Sequence, residues 1–144
     1  MKKFEFIEHT ADLGIRVFGD SLSDLFKNAA YALFSLLIEE KTEESEKKEI
    51  KEKLVLEAEG LDELFVTWLN ELISLFFIYN YLPLDYVLIL EDKKDTKILK
   101  VDLKGEDVSI YSDRIIREIK AATYHHLQIK EDNGKYVAEV IFDV

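Results

Sequence analysis

Cysteine is absent from this 144-residue chain, and proline occurs once. The absence of cysteine excludes a disulfide scaffold, a thiolate metal site and a cysteine nucleophile, and it is compatible with a reducing compartment. The first residues, 1 to 5, contain no apolar stretch of the kind found in secretory signals, so we predict a cytoplasmic protein. With 48% apolar residues the chain is able to bury a core, and we predict one domain spanning residues 1 to 144.

Basic side chains are also scarce, because 19 Lys and Arg face 30 Asp and Glu and leave a net charge of −11. Proteins that hold nucleic acid need a basic surface to displace counterions from phosphates. The composition therefore predicts no direct nucleic-acid binding and favours a basic protein partner or a metal cation.

Apolar periodicity predicts two helices, at residues 21 to 37 and 61 to 78. Ser21 and Asp24 have the spacing of a capping box at the start of the first helix. Asn133-Gly134 predicts a type I′ hairpin turn. Strands are predicted near residues 4 to 6 and at 14 to 18, 53 to 59, 86 to 90, 97 to 103, 119 to 129 and 136 to 142, with a break at Gly105-Glu106 and a solvated linker at 39 to 52. The predicted fold class is α+β, with two core helices packed on a mixed or antiparallel sheet.

The second predicted helix is apolar around most of its circumference. Asn70 and Glu71 fall in its middle, so a membrane span is excluded. We interpret it as the central element of the core, with an exposed partner-binding face as the alternative.

The two helices align at an offset of 39 residues, which matches Leu22 with Leu61 and Phe26 with Phe65. Each follows a predicted strand and a glycine-containing turn. This similarity suggests the hypothesis of a degenerate strand-helix duplication within one domain. Non-equivalent packing of the two helices would favour chance instead.

The three histidines do not form an evident zinc site. His125 and His126 are neighbours on a predicted strand and are expected to point to opposite faces, so at most one of them joins His9. No glycine-rich phosphate loop and no known hydrolase motif occurs.

Two polar segments remain as candidate sites. Residues 9 to 14 form a compact polar turn that includes Asp12. The chain ends directly after a predicted strand, which places the Asp143 carboxylate next to the terminal carboxylate of Val144. Paired carboxylates favour hard cations such as Ca²⁺, Mg²⁺ or Mn²⁺.

Together these segments resemble the motifs of the archease family over essentially the whole chain. The matching segments are residues 8–15 (EHTADLGI), 21–30 (SLSDLFKNAA), Glu63 with 69–72 (LNEL), Gly105-Glu106, 118–125 (EIKAATYH) and 142–144 (FDV). The match departs at Ala122 and across residues 107 to 117.

The resemblance implies an accessory protein, not an enzyme, that activates the RtcB-type RNA ligase of tRNA splicing. Family members promote guanylylation of the ligase, allow multiple turnover and bind a divalent metal, assigned as calcium. The corresponding metal ligands here are Asp12, Asp143 and Val144, and Lys120 and His9 are further functional candidates. The resemblance implies nothing about the oligomeric state.

Two rival functions remain open. A chaperone-like interaction module for RNA-processing enzymes would use the apolar second helix rather than the acidic groups. A metal-dependent hydrolase would use Asp12 and Asp143 as paired carboxylates, but the sequence offers no convincing nucleophile or general base beside them.

Overall fold

The computed structural model of the chain describes residues 2–8, 13–39 and 49–144. Its elements, in chain order, are β1 (Phe4–Glu8), β2 (Leu13–Gly19), α1 (Leu22–Leu37), β3 (Ile50–Ala58), α2 (Leu61–Phe77), β4 (Tyr81–Asp92), β5 (Lys97–Asp107), the 3₁₀ helix η1 (Val108–Arg114), β6 (Ala121–Asp132) and β7 (Lys135–Asp143).

The described strands form two antiparallel sheets. The first has the order β1-β2-β7-β6 and the second the order β3-β5-β4. Each helix contacts strands of both sheets, and the helices contact each other. The predicted α+β fold with two core helices is confirmed, and the sheets are antiparallel rather than mixed.

Helix α1 begins where the capping pattern predicts. The Ser21 hydroxyl accepts a hydrogen bond from the Asp24 backbone N–H at 3.0 Å, which satisfies one of the orphan amides of the first turn. The Asp24 carboxylate accepts from the backbone N–H of Asp20, also at 3.0 Å. In a regular capping box this carboxylate would accept from the backbone N–H of the cap residue, Ser21. Here it accepts from Asp20, one residue earlier.

Helix α2 is the central element of the core, as its composition predicts. Nine of its side chains are buried, and Thr67, Asn70, Glu71 and Ser74 of its polar stripe are half-buried. The alternative of an exposed apolar face on this helix is therefore wrong, because both sheets and α1 cover that face. Within the described residues no helix is long and apolar enough to cross a membrane.

The second sheet is longer than predicted. Strand β4 starts at Tyr81 and runs through Pro83, and β5 continues through Gly105 and Glu106. Proline is tolerated because β4 is an edge strand and its register shifts between Pro83 and Asp85. Glycine is needed in β5 because a Cβ at position 105 would lie 2.3 Å from the Leu82 carbonyl oxygen.

The predicted linker at residues 39 to 52 is partly wrong. Its last residues, from Ile50 onward, belong to β3 and pair with β5. Ile50 lies opposite Gly105. The first residues of β3 are exposed and mostly charged, like the linker before them, which hides the start of the strand. Residues 40 to 48 lie outside the described residues.

The turn at Asn133-Gly134 is confirmed. Both residues have positive φ, 54° and 78°, as a type I′ turn requires, and Asp132 pairs directly with Lys135 across it. This turn fixes the register in which β7 returns along β6 toward the C-terminus.

The proposed duplication receives mixed support. Phe26 and Phe65, which the offset matches, are both fully buried and contact each other edge to face at 5.1 Å between ring centroids. The preceding strands differ, since β2 is an inner strand of the first sheet and β3 an edge strand of the second. The duplication stays a hypothesis.

Tyr81 makes the stability of the second sheet sensitive to alkaline pH. Its hydroxyl donates to the Ile50 carbonyl at 2.7 Å, and burial, with the nearby charges of Glu52 and Glu49, raises its pKa to about 12. An unfolded tyrosine titrates near 10, so the unfolded state loses this proton first as the pH rises. Stability that is complete below pH ~10 is then lost toward pH ~12.

We expect the free energy of unfolding to fall by about 1 to 2 kcal/mol across that range through Tyr81, because water reaching the strand edge screens part of the effect. Denaturant titrations at several pH values measure the fall. Tyr81→Phe should flatten the curve, and an unchanged slope in that variant would contradict the assignment.

Candidate functional site

The C-terminal strand ends between two other strands of the first sheet. Phe142 pairs with Leu13 on β2, and Asp143 pairs with Ala121 on β6. The Lys120 backbone N–H donates to the Asp143 carbonyl at 2.8 Å. Phe142 is fully buried. This chain end is therefore held in the sheet.

The side chains at this edge face solvent. Asp143, Val144 and Lys120 are all exposed, so the β7 carboxylate, the chain terminus and one ammonium group share one end of the sheet. The exposed carboxylate of Asp143 is an oxygen donor of the kind that suits hard cations.

Only some of the predicted metal ligands lie among the described residues. Asp12 and His9 lie outside the described residues, so the structure gives no position for either. Among the residues that are described, no group of three or more His, Cys, Asp or Glu is placed to hold a metal ion. The ligand set of Asp12, Asp143 and Val144 stays a prediction.

Asn70 on α2 contacts the strand beside this edge, a contact that no local sequence pattern predicts. Its side-chain oxygen accepts from the Ala122 backbone N–H at 2.7 Å, and its amide nitrogen donates to the Ala122 carbonyl at 3.3 Å. Ala122 lies next to Ala121, the partner of Asp143, on the outer strand β6. The signal in the sequence was a polar residue in the middle of an apolar helix.

We expect Asn70→Ala to lower the free energy of unfolding by about 1 to 3 kcal/mol, because it leaves two backbone groups of Ala122 without this partner. Thr67→Ala, on the same polar stripe of α2, is the matched control and should cost less. Amide hydrogen exchange gives the local readout. Unchanged protection of the Ala122 amide in Asn70→Ala would contradict the proposed contact.

Strand β6 contains a wide irregularity close to this edge. Thr123 pairs with Ile141 and Gln128 with Glu139, so residues 124 to 127 all lie opposite the single Val140. The Thr123 hydroxyl donates to the Ile141 carbonyl at 2.8 Å and accepts from the His125 backbone N–H at 3.3 Å. Thr123 thus anchors the start of this irregular segment.

The predicted orientation of the two adjacent histidines is wrong. His126 has a φ of +57°, which breaks the strand alternation, and the His125 and His126 ring centroids are only 4.1 Å apart. Opposite orientation requires a regular strand. The bulge turns the second imidazole toward the first, and both residues are exposed.

A cavity of about 630 Å³ lies between the end of α1 and the start of β4. Tyr31, Phe34, Leu82 and Tyr86 contribute apolar walls, and the Lys3 ammonium lies 4.6 Å from the Tyr31 ring centroid. Burial raises the pKa of Tyr86 well above its usual range. None of the predicted metal ligands that are described lines this cavity.

Glu106 is a buried carboxylate close to that cavity. It accepts a hydrogen bond from the hydroxyl of Tyr111, which is also buried and lines the cavity. The sequence pattern predicts a break between strands at Gly105-Glu106. The structure instead makes Glu106 an internal hydrogen-bonding group of β5.

Comparison with known proteins gives a match along almost the whole chain. The model of the Archease protein family (MTH1598/TM1083) matches residues 4–144. "Protein archease" of Pyrococcus abyssi is 34% identical over 145 residues and covers 100% of both chains. "Protein archease" of Methanosarcina mazei is 31% identical, covering 99% of this chain and 97% of the relative.

Two solved structures share the fold. The solution structure of protein 1598 of Methanobacterium thermoautotrophicum covers 100% of both chains with a TM-score of 0.79 and 28% identity. A crystal structure from Thermotoga maritima, described as an archease and possible chaperone, has a TM-score of 0.59. It is 21% identical and covers 96% of this chain and 94% of its own, so that likeness concerns the fold alone.

Proposed function

Because the chain belongs to the archease family, we propose that it is an accessory activator of the RtcB-type RNA ligase that seals tRNA halves during splicing. In this proposal the protein promotes formation of the guanylylated ligase and allows multiple turnover. It does not join RNA itself and supplies no catalytic residue of its own to the RNA substrate.

The observation that carries the proposal is the convergence of three distant chain segments at one end of the first sheet. Leu13 follows Asp12 in the sequence and pairs with Phe142, which precedes Asp143. Lys120 precedes Ala121, which pairs with Asp143 itself. Three of the residues that the family resemblance singles out therefore belong to segments joined in neighbouring strands.

The described donors fit a hard divalent cation. Asp143 and the Val144 terminus are exposed at the end of a strand that is held by β2 and β6, so their oxygens are accessible without unfolding. We propose that Asp12, Asp143 and the Val144 carboxylate hold Ca²⁺, with Mg²⁺ or Mn²⁺ as alternatives. A bound cation would offset phosphate charge during guanylylation of the ligase.

Lys120 and His9 complete the proposed functional set. The Lys120 ammonium is exposed beside the strand end, and its backbone helps to fix Asp143 through the 2.8 Å hydrogen bond. We assign Lys120 to contact with the ligase or with phosphate at its active site. His9 lies outside the described residues and enters from the family resemblance alone.

The charge of the chain supports a protein partner rather than RNA. A net charge of −11 repels a polyanion, whereas a ligase site that handles nucleotide phosphates should be electropositive. The proposed activator therefore docks on the ligase through its acidic edge, the sheet edge that carries Asp143 and Val144. It serves RNA processing without binding RNA.

Reconstitution tests the proposal. The cognate ligase is supplied with GTP, Mn²⁺ and cleaved RNA, with and without this chain. The expected result is faster accumulation of guanylylated ligase and more than one ligation per ligase molecule when the chain is present. Equal guanylylation and single turnover in both reactions would overturn the proposed function.

The chaperone-like alternative needs a different surface from the one the sequence suggested. Helix α2 is covered, but the cavity beside α1 is lined by apolar side chains that include the exposed Leu84 and Ile116. This alternative predicts that the chain suppresses aggregation of an unfolded ligase and that acidic-edge variants keep that effect. Retained suppression with no gain in guanylylation would favour it.

A further inference from the structure

The two adjacent histidines of β6, whose rings lie close together, form a second candidate site with nitrogen rather than carboxylate donors. We propose that His125 and His126 together bind one borderline divalent metal ion of the Ni²⁺, Cu²⁺ or Zn²⁺ class. This proposal does not depend on the function proposed above.

The two rings are close enough for one nitrogen of each to reach the same ion after side-chain rotation. Imidazole nitrogens bind these metals at about 2.0 to 2.1 Å, so two nitrogens on one ion lie at most about 4 Å apart. The His125 and His126 ring centroids are 4.1 Å apart and tilted by 60°. This is the separation of the ring centres, not of the nitrogens, so both exposed side chains must rotate to bring one nitrogen of each ring to the same ion.

The backbone holds the pair in place before any ion binds. Residues 124 to 127 lie opposite the single Val140, the first three of them are exposed, and His126 has a φ of +57° that a regular strand does not contain. Thr123 ties the start of this segment to Ile141 and to the His125 backbone. β-bulges commonly re-aim side chains next to functional sites, and this one places two imidazoles together.

The donor chemistry selects the metal. Neutral imidazole suits Zn²⁺, Ni²⁺ and Cu²⁺, whereas carboxylates and water suit Ca²⁺ and Mg²⁺. Two protein ligands leave the remaining coordination positions to water or to a ligand of another molecule.

Calorimetric titration of the full, untagged chain with Ni²⁺ tests the proposal. Saturating Ca²⁺ is included so that the carboxylate edge is occupied by a hard cation. We expect one Ni²⁺ per chain. His125→Ala and His126→Ala should each weaken binding about tenfold or more, while Tyr124→Ala, a neighbouring exposed aromatic residue, should bind as the unchanged chain does.

A second measurement separates shared from independent binding. In ¹⁵N spectra of the imidazoles during a Zn²⁺ titration, the resonances of both rings should shift together and reach completion at one ion per chain. Thr123→Val should weaken Ni²⁺ binding while both ligands remain, and Thr123→Ser should restore it. Binding of two ions, a shift of one ring only, or unchanged affinity in either alanine variant would overturn the proposal.

Discussion

Asp143→Asn is expected to abolish stimulation of the RtcB-type ligase, reducing the rate of guanylylation to within a factor of about two of the unstimulated reaction. The substitution keeps the size of the side chain and removes its negative charge. Hard divalent cations prefer charged carboxylate oxygens, so the proposed metal affinity falls with it. The measurement is the fraction of guanylylated ligase against time, together with the number of ligations per ligase.

Folding should survive this change. The backbone carbonyl of Asp143, not its carboxylate, accepts the hydrogen bond from Lys120, and the side chain is exposed. Asp132→Asn is the matched control because Asp132 is also an exposed carboxylate of the same hairpin, at its opposite end next to the turn. Full stimulation by folded Asp143→Asn, or equal losses of stimulation in both variants, would refute the proposed metal site at the acidic edge.

Trp68→Ala is expected to lower the free energy of unfolding by about 3 to 5 kcal/mol. Trp68 is fully buried on α2, and its ring lies edge to face with that of Tyr86 at 6.3 Å between centroids. Its indole N–H also donates to the Phe26 carbonyl on α1 at 2.9 Å. One side chain thus joins both helices to the second sheet, and its removal leaves a large cavity.

Denaturant unfolding measures this loss, which is a large fraction of the roughly 5 to 15 kcal/mol that typically separates folded from unfolded states. Trp68→Phe separates the two contributions, because it keeps an aromatic ring and removes the N–H donor. It should cost less than Trp68→Ala. A loss below about 1 kcal/mol in the alanine variant would show that the surrounding core closes around the cavity.

The two variants also separate stability from activation. Trp68→Ala should reduce ligase stimulation only in proportion to the unfolded fraction, and a lower assay temperature should restore it. Asp143→Asn should lose stimulation at every temperature at which it is folded. The contrast between the two variants tests whether stimulation requires the Asp143 carboxylate itself or only a folded protein.

The sequence alone determined the features that depend on neighbouring residues. Apolar spacing placed both helices, Ser21 placed the first cap, and Asn133-Gly134 specified the hairpin turn, because each signal is contained within a short stretch of chain. The segment motifs identified the family, which the comparison along residues 4–144 confirmed. The metal ligands drawn from that resemblance remain predictions.

Tertiary structure decided the features that depend on a distant partner. Gly105 and Pro83 resemble breaks in the sequence, yet both lie within strands, because β5 approaches the Leu82 carbonyl closely and β4 lies at a sheet edge. Asn70 finds its partners 52 residues away in the chain.

The histidine pair shows most directly why such features do not follow from the local sequence. Strand alternation predicts opposite orientations for His125 and His126, and only the register of β6 against β7 forces extra residues outward and brings the two rings to 4.1 Å. Such register is set by pairing between strands and by packing on α2, neither of which is encoded in the local pattern of β6.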